Sequence, residues 1–91
     1  MKSSPASPVQ DPCRLASLRC DTAGIVERLE GPPSVQLRLL ELGVTPGERI
    51  VLRYITPFGG PMEIELMNYR LAIRRTEAKN IWVRRSPDTP Q

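Results

Sequence analysis

A mainly β fold, a small partly open barrel of about five strands carrying one short helix, is what the sequence predicts. Three observations predict it. The chain has 91 residues, enough for one domain, and ten prolines and six glycines cut it into short runs. Three runs alternate with the period of a strand (RIVLRYI, MEIEL, YRLAIR), whereas one run, VQLRLLEL, repeats at helical spacing. Aromatic residues make up 4% of the chain, so Leu, Ile and Val must fill the core.

Residues 1–16 carry Pro5, Pro8 and Pro12 without a hydrophobic period, and read as a flexible arm before a domain at 17–85. The closing SPDTPQ, 86–91, reads as a flexible tail. The first strand spans Thr22 to Leu29, with Ile25, Glu27 and Leu29 on one face and Val26 and Arg28 on the other. After EGPP, Ser34 is placed as the N-cap of a helix whose Val35, Leu39 and Leu42 form the apolar stripe. Gly43 fits the left-handed position that ends such a helix, and Val44 the apolar contact beyond it. Thr45-Pro46-Gly47 has the residue types of a type II turn.

From Arg49 the period becomes two. Arg49 to Ile55 is a strand with Ile50, Leu52 and Tyr54 facing one way. TPFGGP is a loop, and Met62 to Leu66 returns with Met62, Ile64 and Leu66 inward. Met67-Asn68 reads as a tight bend, because Asn tolerates positive φ, and the next strand points Tyr69, Leu71 and Ile73 inward. Thr76 is placed as the cap of a single helical turn. Ile81-Trp82-Val83 is the last strand, with Trp82 outward. Short hairpin-linked strands with one helix suit an SH3-like barrel, and the five-stranded oligonucleotide-binding barrel is its nearest competitor.

Composition narrows the chemistry. Histidine is absent, which removes the commonest general base and metal ligand together. Lys2 and Lys79 are the only lysines, Gly59-Gly60 lacks the lysine of a phosphate loop, and Glu63 and Glu65 alternate as on any solvent-facing strand. No enzyme site is expected. The two cysteines, Cys13 and Cys20, have no disulfide or metal-finger spacing and are expected to be free thiols of the cytosol. Cys20-Asp21 is the one thiol–carboxylate pair, a weak surface ligand for Zn²⁺ or Fe²⁺ that would bridge chains; no cofactor is required. No signal-like or membrane-spanning apolar run is present.

Charge is uneven. The net charge is +3, and Arg70, Arg74, Arg75, Lys79, Arg84 and Arg85 face only Glu77 and Asp88 beyond Asn68. The partner surface is therefore expected at Phe58, Arg74, Arg75, Trp82 and Arg84, with Trp82 as the anchor. Phe58 and Trp82 are the only aromatics left to stack on bases, which makes a nucleic-acid-binding barrel the weaker reading.

The runs LLELGVTPGERIVL, TPFGGP, MEIEL and NYRLAIRRTEAKNIWV together resemble the FeoA family of ferrous-iron-transport accessory proteins, over about residues 19–84. One departure is Asn68, where a glycine before the tyrosine is commoner in the family. The resemblance implies an SH3-like barrel in the cytosol, working at the inner face of the membrane by binding the FeoB permease, which carries a cytosolic G-protein domain. Gly43, Pro46, Gly47 and Asn68 are its turn residues and name no binding site. A metal-binding iron chaperone or sensor is the alternative, and weak self-association is compatible with either.

Overall fold

The computed structural model describes residues 12–85. Their elements are β1 (Cys13–Arg14), a 3-10 turn (Leu15–Ser17), β2 (Thr22–Leu29), α1 (Pro33–Glu41), β3 (Arg49–Ile55), β4 (Met62–Glu65), β5 (Arg70–Ile73), α2 (Arg75–Ala78) and β6 (Ile81–Arg85). The strands form one sheet in the order β1-β6-β2-β3-β4-β5, every pair antiparallel. The fold is mainly β with a short helix between the first long strand and the next. Its core is aliphatic: Val26, Leu39, Ile50, Leu52, Ile64 and Ile81 are all buried.

The domain begins four residues before the expected boundary at 17. Cys13 and Arg14 pair with Val83 and Trp82, and Leu15 is fully buried. LASL, 15–18, is too short to show a period, yet it supplies Leu15 and Leu18 to the core. The tail 86–91 and the rest of the proposed arm lie outside the described residues.

Two bulges reset which side chains face inward. In β2 the register against β6 skips Glu27, so Val26 and Leu29 both turn to the core while Ile25 stays partly exposed. Ile25 and Glu27 share a face opposite Val26, as expected, but Leu29, expected beside Ile25, turns to the side of Val26. In β3 the register against β4 skips Arg53, and Tyr54, expected inward, is 51% exposed. A bulge inserts one unpaired residue and inverts the alternation beyond it; Ile55 rather than Tyr54 packs on the core.

The helix α1 starts two residues early, with Pro33 in its first turn, and Ser34 does not cap it. Proline's fixed φ suits the first helical position, where its missing N–H costs nothing. At the other end Val44 N–H donates to Leu39 O at 2.9 Å and Gly43 N–H to Leu40 O at 3.0 Å, with Gly43 at φ +99. This is the paired closure that satisfies the last carbonyls of a helix. Gly47 at φ +94 and the 3.0 Å bond from Glu48 N–H to Thr45 O complete the type II turn.

The β4–β5 bend is closed by Leu66 N–H donating to Tyr69 O at 2.8 Å. Asn68 is not among the described residues with positive φ, so the bend is not the left-handed one expected there. Tyr69 points away from the core, and its hydroxyl donates to Leu42 O at 2.6 Å, capping α1 from outside. The α2 cap is Glu77, not Thr76: its carboxylate accepts from Arg74 N–H at 2.9 Å. Glu77 also pairs with Arg38 of α1 at 2.8 Å, tying the two helices together.

Candidate interaction site

The five residues expected to form one partner surface fall into two groups. Phe58 stands at the tip of the β3–β4 loop, in a turn closed by Gly60 N–H donating to Pro57 O at 3.3 Å. It takes φ +61, followed by Gly59 at φ +79, and its side chain is 104% exposed. The loop's neck is closed by Thr56 N–H donating to Pro61 O at 3.0 Å, and Arg75 Nη2 donates to Thr56 O at 3.4 Å. A groove of about 350 Å³ runs between the loop and α2, lined among others by Gly60, Pro61, Arg38, Arg74, Arg75 and Glu77.

Trp82 and Arg84 lie elsewhere, outward on β6. Arg14 of β1 and Arg28 of β2 are the register partners of Trp82 on either side, and their guanidinium carbons stand 4.8 and 4.5 Å from its ring centroid. Guanidinium groups stack well on the electron-rich face of an indole. Glu30 pairs with both arginines, at 3.9 and 3.6 Å. Its carboxyl is held below the ordinary value, chiefly by the Trp82 indole N–H directed at it and then by the charges of Arg28 and Arg14. That N–H contact falls outside regular hydrogen-bond geometry. Trp82 is thus half-buried between two arginines, whereas Phe58 is the bare aromatic. Arg84 pairs with Glu27, at the β2 bulge, at 2.9 Å.

Arg14 and Arg28 were not singled out from the sequence. Nothing local marks them, because their meeting with Trp82 depends on pairing between strands far apart in the chain. The usable signal is only that Trp82 faces outward and so must lie beside outward residues of its neighbours.

The proposed metal pair is placed between the 3-10 turn and β2, where Cys20 and Asp21 are both exposed. Asp21 is at φ +64, and its carboxylate accepts from Arg53 Nη1 at 2.8 Å. Arg53 also donates to Glu65 at 2.7 Å. The Glu65 carboxyl is held below its ordinary value chiefly by that bond to Arg53, and Arg53 is pushed up by Glu65 and then Asp21. Glu63 pairs with Arg70 at 3.9 Å, so neither strand carboxylate stands as half of a matched acid–base pair. Among the described residues no three Cys, Asp or Glu side chains converge on one point. Cys20 and Asp21 can offer a metal two side chains at most, one of them already paired with Arg53.

A short-stranded antiparallel sheet curled around one aliphatic core, with arginine-rich outer faces, is a small SH3-like barrel domain. The chain belongs to the FeoA family, involved in ferrous iron transport, with residues 13–85 matching the FeoA domain. It is 30% identical over 70 residues to an Fe(2+) transport protein A/Fe(2+) transporter FeoB fusion protein of Porphyromonas gingivalis (strain ATCC BAA-308 / W83). That match takes in 77% of this chain and 8% of the fusion protein. The crystal structure of an iron uptake regulatory protein, FeoA, superposes with a TM-score of 0.77 at 28% identity, over 84% of this chain and 100% of that one. Stenotrophomonas maltophilia FeoA complexed with zinc, named as a procaryotic SH3 domain protein, superposes with a TM-score of 0.66 at 30% identity, over 77% and 87%.

Proposed function

We propose that this chain is a non-enzymatic accessory protein of bacterial ferrous iron uptake, which binds an FeoB-type permease at its cytosolic G-protein domain and modulates it. The observation that carries this reading is the fusion relative, whose printed name joins transport protein A and the transporter FeoB in one protein. Joining two modules in one chain raises their effective concentration, an advantage only where the modules act together. Among the described residues no helix is long and apolar enough to cross a membrane.

The Trp82 face is the part best suited to the permease. Its two stacked guanidinium groups are already held in place, which reduces the ordering cost of meeting an acidic protein surface. Arg84 extends the same face. Co-purification of the full chain with the permease, and separately with its isolated cytosolic domain, tests the reading. Retention by both is expected; loss of both sinks it.

A metal-handling role is the second reading, favoured by the zinc complex of the Stenotrophomonas maltophilia relative. In this chain it rests on exposed Cys20 with Asp21, as a weak ligand for Zn²⁺ or Fe²⁺ shared between copies. Zinc-dependent self-association that is lost in Cys20→Ser is its signature.

A further inference from the structure

We propose that the β3–β4 loop is a membrane-contact element: Phe58 enters the surface of an anionic bilayer while Arg74 and Arg75 meet lipid phosphates. Phe58 makes no use of its ring within the fold, being 104% exposed. Its left-handed backbone is one that aromatic residues seldom adopt. The tip nevertheless holds its shape, through the Gly60–Pro57 and Thr56–Pro61 bonds and the Arg75 contact at its neck. An apolar ring is thereby presented to the outside on a rigid support.

Charge is distributed as a bilayer requires. From Ile55 to Met62 no residue carries a charge, so the tip enters an apolar phase without stripping water from an ion. Behind it the groove gathers Arg38, Arg74 and Arg75 against Glu77 alone, and Glu77 is already taken by Arg38. Exposed Arg74 remains to face anionic headgroups, with Arg75, which holds the loop's neck, partly exposed beside it. Tyr54, turned outward by the β3 bulge at the strand end leading into the loop, is the amphipathic ring that favours headgroup depth. A protruding Pro-Phe-Gly-Gly tip offers a protein pocket little beyond one ring, whereas a bilayer asks only for apolar area without charge.

The test is sedimentation of the full chain with vesicles of equal parts phosphatidylglycerol and phosphatidylcholine, against phosphatidylcholine alone. Binding to the anionic vesicles only is expected, weakening as salt rises. Phe58→Ala should cost about ten-fold in vesicle affinity while its melting curve stays that of the wild type. Arg74→Glu, which leaves the Arg75 contact at the loop's neck in place, should weaken the preference for anionic lipid. Phe58→Trp should keep binding and show an emission blue-shift on vesicles beyond that of the wild type, whose indole is Trp82. Absence of wild-type binding, or binding unchanged in Phe58→Ala, overturns the proposal. So does a Phe58→Ala variant that loses the permease's cytosolic domain in the absence of lipid while vesicles are ignored, which makes the ring a protein anchor. No permease is present in the vesicle assay, so its failure leaves the permease reading standing, and the reverse also holds.

Discussion

Gly43 sits at φ +99, and a β-carbon placed there would run into the Tyr69 hydroxyl. Gly43→Val therefore combines backbone strain of about 1–3 kcal/mol with loss of the bond from Tyr69 to Leu42 O. Tyr69→Phe isolates the second part and should cost about 0.5–1.5 kcal/mol. Urea unfolding of both variants checks the difference; equal costs would mean that the glycine's conformation is not what matters. Glu65 gives a pH prediction. Its folded-state pKa lies below the ordinary 4.5, so its contribution is present above 4.5 and lost as pH falls below it. The melting temperature should drop on acidification through that window, less steeply in Glu65→Gln, with a difference that narrows as salt rises. Arg53, raised by the same contact, loses its contribution only far above physiological pH. At this scale the sequence was legible where backbone geometry alone chose the residue, as at Gly43 and Gly47. It was not legible at Tyr69, because alternation predicts a face and cannot foresee a helix end waiting outside.

The least expected element is the shortest. β1 and the following 3-10 turn put Leu15 where the core closes, with no exposed surface. Leu15→Ala should cost about 2–5 kcal/mol, since a fully buried leucine leaves a cavity behind. A chain beginning at Ser17, which lacks β1 as well, should lose its cooperative thermal transition. A truncation that melts like the full chain would return residues 13–16 to the arm. The long elements were legible because β3, β4, β5 and α1 each run long enough to display a period. The expected facing failed at Leu29 in β2 and at Tyr54 in β3, because each bulge is a property of two paired strands, invisible in one. The caps failed for a similar reason. Ser34 and Thr76 carry the favoured side chains, yet Pro33 and Glu77 held the geometry.

Across the whole molecule, no metal should be needed for the fold. Every element is joined to the rest by strand pairing or by the aliphatic core, and among the described residues no cluster of three metal-ligating side chains exists. A chelator should leave the melting temperature unchanged within error; a fall of many degrees would reveal a structural ion. The candidate surface was legible in composition and not in position. Outward Trp82 and the late run of arginines were visible, but Phe58 with Arg74 and Arg75 separated from Trp82 with Arg84 only when the sheet order was known. One pairing has a wider reach. Cys13 lies opposite Val83, so the two ends of the matched domain, 13 and 85, leave on neighbouring strands of one edge. Neighbouring antiparallel strands run about 5 Å apart, a gap that a short linker spans without strain. The barrel is therefore built like a plug with both leads on one side: a gene could splice it into the exposed loop of a larger polypeptide, or shuffle its termini, without unpicking the core.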